Sequence, residues 1–262
     1  MKRAVLTAVL ALGLAMPAFA GVTLKQTTTG KGMGMSGTTG GTTYIKGGKM
    51  RTDVVMGDKT MTTIFDVDTQ KMYSFDSKKK EADVFDMAAV GAELSKSVDM
   101  SSAKASFKPN GQKKEISGKS AAGYDMQVSM DAAMGGSKEM SMTVTLQGPV
   151  WIVADAPGAA DYARFYKTAV EKGWIFSDPR AAKAQPGQAK AMAEMYNQIA
   201  ATGGIPYQTE IQIKLGGGGP MGGLLAKMGN VTMTTTLDAV EVGPVAEDLF
   251  APPAGYKLNE KK

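Results

Sequence analysis

Residues 61–85, MTTIFDVDTQKMYSFDSKKKEADVF, decide the reading of this chain. Three short runs, Met61 to Val67, Lys71 to Phe75 and Glu81 to Phe85, alternate in polarity and are rich in β-branched and aromatic side chains. A period of two is the mark of a strand whose successive side chains point to opposite faces. The connections, Asp66-Val67-Asp68-Thr69-Gln70 and Lys78-Lys79-Lys80, are too short for anything but reversals, so the runs form an antiparallel meander. The three lysines read as a solvated turn and not as a nucleic-acid patch, and no nucleic acid is expected as a partner.

The same alternation extends outward in both directions. Upstream, Thr42 to Met56 reads as a strand, preceded by a Gly/Thr-rich opening from Thr27 to Thr43 that suggests a weak strand pair with a loose loop. Downstream, a short helix is expected over Met87 to Ser97. Strands are expected at Ala103 to Lys108, Lys113 to Ile116, Gly123 to Met130 and Glu139 to Val153. The period then changes to that of a helix. Asp161 to Lys172 gathers Tyr162, Phe165, Tyr166 and Ala169 on one face, and Pro186 to Ala201 gathers Met192, Met195, Tyr196 and Ile199. Strands resume at Pro206 to Leu215 and Asn230 to Val242. The glycine-rich Gly216 to Gly223 between them lacks the Gly-Lys-Ser/Thr ending of a phosphate loop and reads as a hairpin connection.

Alternation also groups side chains by face. Met126, Val128 and Met130 fall together, as do Met140, Met142, Val144 and Leu146; so do Tyr207, Ile211, Ile213 and Leu215, and Val231, Met233 and Leu237. The opposite faces carry Gln127, Ser141, Thr143, Glu210, Gln212, Lys214, Thr232, Thr234, Thr236 and Asp238. The expectation is one apolar, methionine-rich sheet surface and one polar, wet one.

Composition narrows the chemistry. The 262 residues include no cysteine and no histidine. This leaves no Ser-His-Asp triad, thiolate nucleophile, imidazole base or ordinary zinc or haem ligand set. The acidic residues fall mostly in turns and at outward positions, which fits surface charge better than a catalytic carboxylate pair. No enzyme activity and no cofactor are expected. At the N-terminus, Lys2 and Arg3 precede the apolar run Ala4 to Met16, and Ala18-Phe19-Ala20 forms a small-x-small cleavage pattern. Residues 1–20 therefore read as a secretory signal that leaves Gly21 as the first mature residue of an exported, periplasmic chain in a Gram-negative bacterium. The apolar run is too short to span a bilayer, and the absence of cysteine at the cleavage point argues against a lipid anchor. Cleavage lowers the formal net charge of +5 by the two cations Lys2 and Arg3. Residues 21–262 suffice for one domain and contain no obvious linker.

The C-terminal run Asp248-Leu249-Phe250-Ala251-Pro252-Pro253-Ala254-Gly255-Tyr256-Lys257-Leu258 resembles the ending of secreted bacterial proteins of the LolA/LolB-like, lipoprotein-carrier-like superfamily. It is most similar to the family known as domain of unknown function 4412. Lys49-Met50-Arg51-Thr52-Asp53, Ile64-Phe65-Asp66, Lys71-Met72-Tyr73-Ser74-Phe75-Asp76, Val150-Trp151-Ile152-Val153 and Gly204-Ile205-Pro206 fit the same plan. The resemblance implies a mainly β, α+β fold: a strongly curved antiparallel sheet, an incomplete β-barrel, with helices across its concave face. In characterised relatives that cavity holds acyl chains. The lipoprotein carriers of the superfamily are shorter, and their cargo-handling residues have no match on this sequence.

Three functional readings follow. The first is a binding or carrier protein for a lipid or other hydrophobic ligand, with Met126, Met130, Met140, Met142, Ile211, Ile213 and Met233 lining a cavity and Tyr162, Phe165, Tyr166, Met192, Met195 and Tyr196 forming a lid. The second is Cu(I) handling by the pairs Met33 with Met35 and Met140 with Met142, since thioethers are soft ligands. The third is an envelope stress or structural protein without a small ligand. The apolar faces would equally serve a dry core, and Trp151 and Trp174 flank the first long helix as reporters of any lid movement.

Overall fold

The computed structural model describes residues 20–32, 35–97, 103–134, 137–176, 178–184, 186–217 and 230–261. Met33 and residues 1–19 of the proposed signal lie outside these. The side chains of Met35, Met130, Met140 and Met142 also lie outside the description, although their backbones belong to strands.

The chain is mainly β, with one large, open, curved sheet. Its strands are β1 (Ala20–Gly32), β2 (Met35–Lys46), β3 (Lys49–Met56), β4 (Lys59–Asp66), β5 (Lys71–Asp76), β6 (Glu81–Asp86), β7 (Ala103–Ile116), β8 (Lys119–Met134), β9 (Ser137–Val153), β10 (Ile205–Gly217), β11 (Val231–Pro244) and β12 (Lys257–Lys261). Among the described residues, four α-helices interrupt them, α1 (Met87–Ser97), α2 (Ala159–Glu171), α3 (Pro179–Ala184) and α4 (Pro186–Ala201), and a 3-10 turn, Glu247–Phe250, follows β11. The spatial order is β12-β6-β5-β4-β3-β2-β1-β11-β10-β9-β8-β7, antiparallel except for β12, which runs parallel to β6.

The meander forms because each strand supplies its own turn. Asp66 ends β4 and accepts backbone N–H groups of Asp68 at 3.1 Å and Thr69 at 3.0 Å. Asp76 does the same after β5 for Lys78 and Lys79, and Asp86 after β6 for Ala88 and Ala89, where it caps α1. A short carboxylate that satisfies donors two and three residues ahead reverses or caps the chain without tertiary help. Phe-Asp recurs at the end of all three strands at a ten-residue spacing.

Several elements differ from the sequence reading. The strand expected over Thr42 to Met56 is the end of β2 and all of β3, reversed at Gly47, whose φ of 58° suits glycine. The loose opening is a long, regular hairpin of β1 and β2, and β1 also pairs with β11, which joins the two ends of the sequence. The two runs from Ala103 to Ile116 form a single strand, β7, with a register shift between Pro109 and Lys113. α3 and β12 had no visible signal.

The contrast between one apolar and one wet face fails in the meander. Ile64, Phe75 and Ala82 on the outer face of β4–β6 are buried with Val245 and Phe250, and Tyr44, Tyr73, Leu249 and Tyr256 pack around them. The segment after β11 thus seals the convex face. Lys46 Nζ donates to the Val245 carbonyl at 2.9 Å and Arg51 Nη1 to the Leu249 carbonyl at 3.1 Å, which fixes that segment over the strands. The main core lies on the other face, where α1, α2 and α4 pack against residues such as Val22, Ile45, Phe65, Val128 and Val150.

A cavity between the curved sheet and its helices

Helix α2 begins at Gly158, where a Cβ would lie 2.3 Å from Val22 Cγ2, so only glycine permits this close descent onto β1. From there α2 carries Tyr162, Phe165 and Tyr166 inward, and α4 brings Met195 and Ile199 against them. Tyr166 and Tyr196 stack with centroids 5.1 Å apart at 10°, Tyr162 lies 4.7 Å from Tyr166, and Phe176 sits 4.8 Å from Tyr166 and 5.0 Å from Tyr196. The rings make one aromatic body that joins two helices.

Beneath this body is a cavity of about 600 Å³. Its wall includes Met72 on β5 and Met126 on β8. Those strands are eight positions apart in the sheet, which at about 4.8 Å per strand would separate them by roughly 38 Å if the sheet were flat. One cavity can touch both only because the sheet curls around it. Gly148, opposite Met126 in the register, marks one tight point: a Cβ there would lie 1.8 Å from the Glu210 carbonyl oxygen.

The proposed lid residues Tyr162, Tyr166, Met192, Met195 and Tyr196 line this cavity. Phe165 does not: at 1% exposure it is packed edge-on against Tyr166 and close to Phe176, and belongs to the core. Of the proposed wall, Met126 and Ile211 line the cavity. Ile213 and Met233 share the inner-facing register but fall beyond it: Ile213 pairs with Leu146 and Val231, and Met233 lies between Gly30 and Ile211. The side chains of Met130, Met140 and Met142 are outside the described residues, and so is Met33. The Cu(I) pairs therefore have no geometry to report. Among the described residues, no group of three His, Cys, Asp or Glu could hold a metal. Trp174 is buried against Phe65, with ring centroids 5.8 Å apart. Trp151 carries the Lys114 ammonium 5.4 Å from its ring centroid, away from the cavity.

The sequence reading missed the N-terminal part of the wall. Met50, Met61, Phe65 and Met72 from the meander line the cavity together with residues of the C-terminal strands. Their signal was present, since Met50 and Thr52, Met61, Thr63 and Phe65, and Met72 and Ser74 each keep one parity. Their faces could not be joined without the register.

Among the described residues, the polar side chains lining the cavity are uncharged apart from Asp178, whose carboxylate accepts from Arg180. Burial pushes the phenols of Tyr162, Tyr166 and Tyr196 above the ordinary tyrosine range, so they remain protonated donors. Tyr166 Oη donates to Met50 Sδ at 3.6 Å, which ties α2 to β3.

No family model matches the chain, and no curated protein matches it. Among solved structures, "Structure of PNGF-II in C2 space group" is similar over 92% of this chain and 31% of its own, at 11% identity and a TM-score of 0.34. The chain thus spans about a third of that protein's length. No helix among the described residues is long and apolar enough to cross a membrane.

Proposed function

We propose that this protein is an exported, non-catalytic carrier of LolA-like plan that holds a lipid or other hydrophobic molecule between its curved sheet and helices α2 and α4. The observation that carries the reading is the cavity of about 600 Å³ walled by Met50, Met61, Met72, Met126 and Ile211 beneath the tyrosine body. That volume lies within the roughly 300–1,000 Å³ of ligand pockets, which are mostly apolar with a few placed polar groups. Methionine side chains adapt to irregular or varied apolar shapes, as a carrier of flexible chains requires. Export to the periplasm rests on the pattern from Lys2 to Ala20.

Protein purified without detergent should release hydrophobic molecules on organic extraction, with matching adducts in native mass spectra. Met61→Trp should fill the space and lower this loading at little cost in stability. In a solid core the same change would overpack, costing about 1–3 kcal/mol. A destabilised Met61→Trp variant together with an empty parent protein would overturn the proposal.

A further inference from the structure

The inner face of the meander is built in rows. Ile45, Met50, Phe65, Met72 and Phe85 are direct cross-strand partners from β2 to β6 and form an apolar row. The next row, one pair along the strands, is Thr43, Thr52, Thr63, Ser74 and Asp83, again each opposite the next. Its first four members all line the cavity. This is an unbroken strip of hydroxyls inside a methionine and aromatic chamber.

The strip is only partly satisfied from within. Thr43 Oγ1 and Thr52 Oγ1 bond to each other at 3.2 Å, and Asp83 is held by Arg180 at 3.1 Å and Lys261 at 3.1 Å. Among the described residues, no side-chain hydrogen bond reaches the hydroxyls of Thr63 or Ser74, which are half-buried and face the cavity. Covering such groups with a hydrocarbon removes their water and returns nothing. An anionic headgroup is equally ill served: no lysine or arginine is among the cavity-lining side chains of the described residues, and an unpaired buried charge is expensive.

Building on the carrier reading, we propose that the cavity selects an uncharged amphiphile. Its chain lies on the methionines and the tyrosine body, and its hydroxyl or ester group hydrogen-bonds to Thr63 and Ser74. The row, and not the apolar volume alone, then sets which hydrophobic molecules are carried.

The test uses three uncharged probes with the full-length protein: the fluorescent hydrocarbon 1,6-diphenyl-1,3,5-hexatriene, which reports the cavity itself, and 1-monolauroylglycerol and dodecane as its competitors. The parent should bind the fluorophore and release it to 1-monolauroylglycerol at far lower concentration than to dodecane. Thr63→Val and Ser74→Ala should each keep fluorophore affinity and weaken 1-monolauroylglycerol roughly fivefold, the worth of one hydrogen bond. Thr63→Ser, which keeps the hydroxyl although it removes the β-branch, should retain the preference. If 1-monolauroylglycerol binds Thr63→Val and Ser74→Ala as well as the parent, the hydroxyl row does not select and this inference is overturned while the carrier reading stands. No fluorophore binding by the parent would overturn both.

Discussion

The two faces of the β2–β6 meander come from the same five strands and the same period-two pattern, yet one is sealed and the other left against open space. On the convex side, Phe250 and Val245 complete a dry cluster with Ile64, Phe75 and Ala82. Lys46 and Arg51 hold the covering segment by its carbonyls. On the concave side, the hydroxyl row faces a cavity roofed at a distance by α2 and α4. The convex cover is a short segment built on one 3-10 turn, Glu247–Phe250, which lies directly on the strands and sets Val245 and Phe250 among their side chains. The concave cover is a pair of helices, whose cylindrical surfaces bridge a curled sheet without filling it. A β face becomes core or chamber according to the shape of what lies over it.

The comparison breaks most visibly at Phe250. Phe250→Ala removes a ring that is 5% exposed and should cost about 3–5 kcal/mol in urea denaturation, while fluorophore affinity of the folded fraction is preserved. A loss under about 1 kcal/mol would mean that the convex seal is no core.

An intermediate effect is expected from the tyrosine body. Burial raises the phenol pKa of Tyr162, Tyr166 and Tyr196 in the folded state, so the unfolded chain loses its phenolic protons first. Stability should therefore be complete below the ordinary tyrosine value near 10 and fall above it, by about 1.4 kcal/mol per pH unit for each phenol still protonated in the folded state. Tyr166→Phe should flatten that decline. An alkaline limb of the same slope in the variant would show that this phenol is not held from water.

The smallest effect belongs to Glu247, at the rim of the convex cover. Hydrogen bonds from Lys46 and then Lys49 hold its carboxyl below the ordinary range, so any contribution is present above the usual carboxylate value near 4.5 and lost as the pH falls through the lowered one. The Glu247 carboxylate is exposed, and Glu247→Gln should change stability at neutral pH by no more than about 0.5 kcal/mol. A larger loss, measured by thermal melting in low and high salt, would show that charge and not Phe250 fastens the cover.

Legibility followed the range of the interactions. α4 spans Pro186–Ala201 as its sequence period indicates, and the turn at Asp66 is written in the residues that make it. The break at Gly47 was hidden because Thr, Tyr, Ile and Val continue on both sides of a two-residue reversal. β12 left no signal because an edge strand of five residues is defined by β6, which lies some 180 positions earlier. At the cavity, the helix period gathered six lining residues, Tyr162, Tyr166, Met192, Met195, Tyr196 and Ile199, and grouped the core residue Phe165 with them, since a helical face is wider than the opening it covers.

Alternation, turn carboxylates and helix periodicity are properties of neighbouring residues, and through them the sequence by itself determined a mainly antiparallel β chain with two amphipathic helices. It could also sort side chains into two faces for each strand. Which face meets which partner was decided only by the tertiary structure. Register aligned Thr43, Thr52, Thr63 and Ser74 into one row. The return of Phe250 onto Ile64 filled one side, and the curl of the sheet left room on the other. Parity is fixed by local backbone geometry, whereas burial depends on residues far away in the chain.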